Sequence, residues 1–213
     1  MKTLKRTWAE VSLDNLEHNY RAIKNHIPEG CRFLGVMKAD AYGHGAVPLS
    51  HALCELGAEY LAVSNLEEAI QLRRGGVGLP VLILGYTPPE YAPDEAAMSI
   101  TQEVHGLQYA KDLNKALEGT GRKLTVHLKI DTGMTRLGFM CHEDTMEKSA
   151  SEIIEAVKLP GLKAEGIFTH FSDSDGSEEY TMLQFGRFQD IIQRVRDLGY
   201  EFEIRHCANS AAT

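Results

Sequence analysis

Seven short apolar runs recur along the chain, at residues 33–37, 60–63, 81–84, 98–101, 124–130, 162–168 and 202–206. Stretches of helical spacing lie between them, near 46–56, 66–74, 106–118, 143–157 and 178–198. Repeated strand-helix alternation argues for an α/β fold, a parallel sheet with crossover helices. A doubly wound sheet satisfies the pattern. A (β/α)8 TIM-type barrel satisfies it better, because polar motifs recur at the C-terminal ends of several different strands. A closed barrel needs eight strands and about 250 residues. This chain has 213 and reaches Thr213 soon after the seventh run. The expectation is an incomplete barrel, with about seven of eight strands, in a piece of a longer protein. Ahead of the first run, Trp8 to Leu13 alternates like a short strand. Asp14 then reads as an N-cap, with Glu17 completing a capping box, for a helix reaching about Asn25.

Composition narrows the function classes. The formal net charge of −8 disfavours nucleic acid or an anionic membrane as a partner. No run of about 18 apolar residues is present, so no span is expected. The N-terminus, MKTLKRTWAEV, leads into no apolar segment, so no signal peptide is expected there. Cys31, Cys54, Cys141 and Cys207 show no C-x-x-C spacing, which suggests reduced thiols and a cytoplasmic setting.

The first concentrated chemistry is FLGVMKADAYGHG, Phe33 to Gly45. Its apolar run reads as a buried strand that stops at Lys38, where a loop begins. A lysine at such a strand end is partly desolvated, which frees its amine to attack a carbonyl. Tyr42 and His44 can reach an anion from the same loop, and Gly43 and Gly45 allow a ligand close to the backbone. The plain alternative is a strand-end lysine followed by an ordinary turn.

Two further clusters follow later strands. Lys129 lies within the fifth run and Arg136 on the loop after it. Two buried cations so placed repel unless an anion lies between them, or Lys129 snorkels and Arg136 is exposed. His170 sits just past the sixth run, a position that suits a catalyst or a hydrogen-bonded core residue. The acidic turn Asp173 to Gly176 lacks calcium-loop spacing and reads as solvated. After the seventh run, Asn209, Ser210 and Ala211 can present N–H groups and a hydroxyl to a phosphate. Cys207 has no identifiable base beside it and reads as a buried thiol.

VMKADAYGHG, Val36 to Gly45, closely resembles the cofactor-lysine motif of the alanine racemases. His127 to Phe139 and His206 to Ala211 resemble two further motifs of that family, in the same order. The resemblance implies that Lys38 holds pyridoxal 5′-phosphate as a Schiff base and acts as the base on one face of the amino acid. It implies that Tyr42 and Ser210 contact the phosphate, with Asn209 beside them. Arg136 would bind near the cofactor's phenolic oxygen and the substrate carboxylate, and Lys129 would be carbamylated, supplying an anion. His170 would orient the second base, a tyrosine from a partner subunit's C-terminal domain. That implies a homodimer that interconverts L- and D-alanine and supplies D-alanine for peptidoglycan. Residues 1–213 would be the N-terminal barrel domain without the C-terminal β-domain, with weak or no activity alone. A non-catalytic pyridoxal-phosphate binding module is the competing reading, and racemases that prefer serine share these motifs.

Overall fold

The computed structural model describes residues 7–213, so the basic start Met1–Arg6 lies outside the described residues. The chain divides after Pro80 into two compact units.

In the first unit, α1 spans Leu13–His26. Its N-cap is Ser12, in extended backbone, whose side chain accepts the Asn15 N–H at 3.2 Å. The expected Asp14 cap is therefore displaced by two residues. Asp14 falls in the first helical turn, where its charge suits the N-terminal end of the dipole. Residues 7–11, ahead of Ser12, form no strand. Alternation alone does not make a strand; a neighbouring strand must supply the ladder. Strand β1, Leu34–Val36, pairs in parallel with β2, Tyr60–Val63, placing Leu34 opposite Tyr60 and Val36 opposite Ala62. Strand β1 is only half-buried at Leu34 and Val36, less than the expected fully buried run. Three helical segments complete the unit: a short turn α2, Lys38–Gly43, then α3, Ala46–Leu56, and α4, Leu66–Arg74. Asn65 caps α4 through its side chain, and acidic Glu67 and Glu68 occupy its first turn.

In the second unit, five strands run in parallel: β3 (Val81–Ile83), β4 (Ile100–Val104), β5 (Leu124–Asp131), β7 (Leu162–Phe168) and β8 (Ile204–His206). A two-residue strand β6, Phe139–Met140, adds to the end of β5. The fourth strand begins two residues later than its apolar signal, because Met98 and Ser99 close the short helix α5, Ala92–Ala97. Helices α6 (Leu107–Leu117), α7 (Met146–Val157) and α8 (Glu178–Asp197) connect the later strands. Leu113, Leu128, Ile130, Ile153, Ile167 and Ile191 are completely buried in this unit's core. Among the described residues, seven strands besides the two-residue β6 alternate with helices, which makes the chain α/β, of the incomplete (β/α)8 class expected from the sequence. Among the described residues no helix is long and apolar enough to cross a membrane.

Candidate active site

Lys38 opens a turn of inverted hand. Ala39, Asp40, Ala41 and Tyr42 all adopt φ between 51° and 55°, the left-handed region. For an L-residue this region costs about 1–2 kcal/mol, and runs of it are rare. Fixed partners hold the turn. The Ala39 N–H donates to Glu68 Oε1 at 2.7 Å, and the Ala46 N–H donates to Asp40 Oδ1 at 2.7 Å. The Ala41 N–H donates to the Met37 carbonyl and the Gly45 N–H to the Asp40 carbonyl, both at 2.9 Å. The sequence reads as a loop here because no residue pattern announces a left-handed turn built from alanines.

Lys38 is half-buried and its Nζ lies 5.8 Å from the centre of the Tyr42 ring, itself 62% exposed. His44 does not point its Nδ1 toward a ligand; that nitrogen donates to the Ala41 carbonyl at 2.9 Å. Glu68 is the residue that sequence reasoning missed. Desolvation pushes its carboxyl up, but N–H and hydroxyl donors from Ser64, Ala39 and Asn65 outweigh this and hold it below the usual range.

In the second unit, polar groups gather at the C-terminal ends of β5, β7 and β8. Lys129 is buried, with Nζ 4.5 Å from the centre of the Phe168 ring. Burial first, then the charge of Arg136, lowers its amine to about 8, while Glu103 and Asp131 pull the other way. Arg136 itself is exposed, so one cation is buried rather than two. Asp131 shapes the loop that carries it, accepting N–H bonds from Gly133 at 2.9 Å and Thr135 at 3.0 Å. His170 is half-buried just beyond β7, and its carbonyl accepts from Gln184. Asn209 is occupied by the protein. Its Oδ1 accepts from Ser174 Oγ at 2.7 Å and from the Ala212 N–H at 3.2 Å, which shapes the turn carrying exposed Ser210. Cys207 is half-buried, and burial pushes the fully buried Cys141 thiol up to about 12.

A histidine pair lies behind these strand ends. His127 Nδ1 is 3.0 Å from His206 Nε2, and His127 Nε2 is 3.4 Å from Glu165 Oε2. Burial first, and then the His127 and Lys129 charges, push His206 well below its ordinary value, so it is neutral. In the tautomer with its proton on Nε2, His127 donates to Glu165. His127 Nδ1 then accepts from His206 Nε2–H. Gly166 makes room for this, since a Cβ there would stand 2.7 Å from the His127 ring. Further along β4, Glu103 is fully buried and bonds His105 Nδ1 at 2.9 Å. Glu95 is also fully buried, and burial raises it to about 7. The nearby Thr87 side chain pulls the other way without reversing this.

Taken unit by unit, the donors are of kinds that a phosphorylated aldehyde can use. The first unit offers a primary amine held at a strand end with a phenol beside it. The second offers a guanidinium, an imidazole and a hydroxyl-bearing turn at its strand ends. Comparison with known proteins defines the class: residues 11–213 match the family described as alanine racemase, N-terminal domain, and the chain belongs to that family. The protein "Alanine racemase 1" of Oceanobacillus iheyensis is 41% identical over 209 residues, covering 97% of this chain and 54% of its own length. A solved alanine racemase of Clostridium difficile 630, in complex with cycloserine, superposes with TM-score 0.93 at 43% identity, covering 99% of this chain and 57% of that one. A histidine racemase from Leuconostoc mesenteroides superposes with TM-score 0.82 at 29% identity, covering 93% of this chain and 52% of that one. The chain thus spans about half the length of the relatives it matches.

Proposed function

We propose that this chain forms part of a pyridoxal 5′-phosphate-dependent amino-acid racemase acting on alanine. The observation that carries the reading is the seat of Lys38, a half-buried amine at the head of a turn whose inverted backbone is fixed by Glu68 and Asp40. The similarity to proteins named alanine racemase supports it.

Lys38 holds the cofactor through its aldehyde. Tyr42 and the Ser210 turn bind the phosphate, with Asn209 keeping that turn in shape. The chemistry the cofactor supplies when bound is electron withdrawal, which acidifies the substrate Cα–H bond. The Lys38 amine would take or return the Cα proton on one face of the substrate. Arg136 binds the substrate carboxylate, and its charge is balanced by a carbamate on Lys129. His170 orients the base for the opposite face, a tyrosine brought by a second copy of the protein. The product is D-alanine for peptidoglycan, and the site of action is the cytoplasm. The histidine racemase among the structural relatives favours keeping a second reading, a different amino acid as substrate, because side-chain selection needs few contacts.

The test is chemical. Purified protein incubated with pyridoxal 5′-phosphate, reduced with borohydride and digested should carry the cofactor's mass on the peptide containing Lys38. Label on another lysine overturns the assignment. Chiral analysis with alanine, serine and histidine then separates the substrate readings, and little turnover is expected from residues 1–213 alone.

A further inference from the structure

Helix α8 reaches the strand-end loops with one face. Tyr180, Gln184 and Arg187 recur at helical spacing, and all three contact the loop after β5. The Tyr180 hydroxyl donates to the Gly133 carbonyl at 2.8 Å and Arg187 Nη1 to the Thr132 carbonyl at 2.9 Å. Gln184 lies between them, completely buried. Its Nε2 donates to Thr132 Oγ1 at 3.2 Å and to the His170 carbonyl at 3.3 Å. Its Oε1 accepts from the Ser172 N–H at 3.0 Å and from Ser172 Oγ at 3.2 Å.

The orientation of this amide is determined by its partners. The Ser172 N–H can only donate, so it must face Oε1; the His170 carbonyl can only accept, so it must face Nε2. The chain beyond Thr132 is directional too. Thr169 Oγ1 gives its proton to the Ile130 carbonyl at 2.9 Å, so in the 2.8 Å contact between the two hydroxyls Thr132 is the donor. Thr132 Oγ1 therefore has a lone pair for Gln184. A single buried side chain thus bonds the start of the Arg136 loop and both sides of Phe171 on the His170 loop, with no bonding direction of its amide wasted.

We infer that Gln184 is a positioning residue that locks the Arg136 loop and the His170 loop into one body. The inference rests on the proposed roles of Arg136 and His170. Leucine or methionine would fill the volume but break every bond. Glutamate would keep both acceptor bonds to Ser172 and lose both donors, setting a carboxylate oxygen against the His170 carbonyl.

Hydrogen–deuterium exchange on the full-length protein tests this for Gln184→Glu and Thr132→Val. In both variants, the amides of residues 132–138 and 169–172 should exchange about tenfold faster, together, while β3, β4 and the α8 interior keep wild-type rates. Thr132→Ser should restore wild-type exchange. The Gln184→Glu/Thr132→Val double variant should fall short of the two single effects combined, because both changes break the Gln184–Thr132 bond while only Thr132→Val also removes the bond to Thr169. In cofactor-loaded protein, kcat with alanine should fall about tenfold with KM moving less, since two groups are misaligned rather than removed. Uniformly faster exchange throughout the unit, or faster exchange in one loop alone, overturns the inference. If wild-type protein neither binds cofactor nor racemises, the proposed function fails, and the exchange data still decide whether the two loops are locked.

Discussion

Glu68 Oε1 accepts the backbone N–H of Ala39 at 2.7 Å, from 29 residues away in the chain. One carboxylate thereby braces the turn after Lys38 while also binding Ser64 through its N–H and hydroxyl at 2.8 Å. Glu68→Ala should destabilise the protein by about 2 kcal/mol in urea titration, the scale of charge-assisted bonds at a half-exposed site. It should also lower cofactor capture by Lys38 in the borohydride assay. The sign with pH follows from the lowered carboxyl. The bracing is fully present above the ordinary value of 4.5 and is lost as pH falls through the lower folded-state value. The stability gap between wild type and Glu68→Gln should therefore be widest near neutrality and close in acid.

Glu95 predicts the opposite pH behaviour. Its folded-state value near 7 lies above the ordinary 4.5, so its proton favours the folded state. Stability on its account is unpenalised below 4.5, declines as pH rises toward 7, and is then level. Glu95→Gln imitates the protonated acid and should show little change at pH 4. Above pH 7 it should be more stable than wild type by up to about 3 kcal/mol. Thermal or urea midpoints across that range check this. A constant difference at every pH would mean that packing, not ionisation, sets the effect.

Gly138 stands where the Arg136 loop returns to β6. Its φ is 136°, and an added Cβ would lie 2.6 Å from the Asp131 nitrogen and 2.8 Å from the Lys129 carbonyl oxygen. These are backbone atoms and cannot swing aside. Gly138→Ala should cost roughly 3 kcal/mol and detach β6 from β5. Faster amide exchange at Cys141, whose N–H bonds the Asp131 carbonyl at 2.9 Å, reports the detachment.

Lys129 predicts a modification. With its amine lowered to about 8, a substantial neutral fraction exists at mildly alkaline pH. The neutral nitrogen can bond carbon dioxide and release a proton, turning a cation that repels Arg136 into an anion that attracts it. Native mass spectrometry in bicarbonate at pH 8 should show one added carbon dioxide, lost on acidification and missing in Lys129→Met. An unchanged mass in bicarbonate would remove carbamylation from the proposed function.

The seven strands and the main helices were legible because buried parallel strands are short apolar runs and their connecting helices keep a 3.6-residue period. Lys38, Lys129 and His170 stand out as candidates because each is a polar residue at or near the end of an apolar run. Glu68 and Gln184 could not. Each is an ordinary polar residue within a helical pattern, and its importance arises from partners far off in sequence. The left-handed turn was equally hidden, since Ala39 and Ala41 would suit a right-handed helix. Ser12 displaced Asp14 as the cap because Ser12 takes the extended backbone that a cap needs, while Asp14 is already helical.

The inverted turn after Lys38 also reverses a familiar rule of substitution. In ordinary helices glycine weakens the structure relative to alanine, but at positive φ the ranking flips. At Ala39, whose N–H rather than its methyl group is held, glycine should be accepted and valine or isoleucine rejected. A saturation library across residues 39–42 would then carry the mirror image of a normal helical preference, a signature of backbone handedness readable from growth data alone.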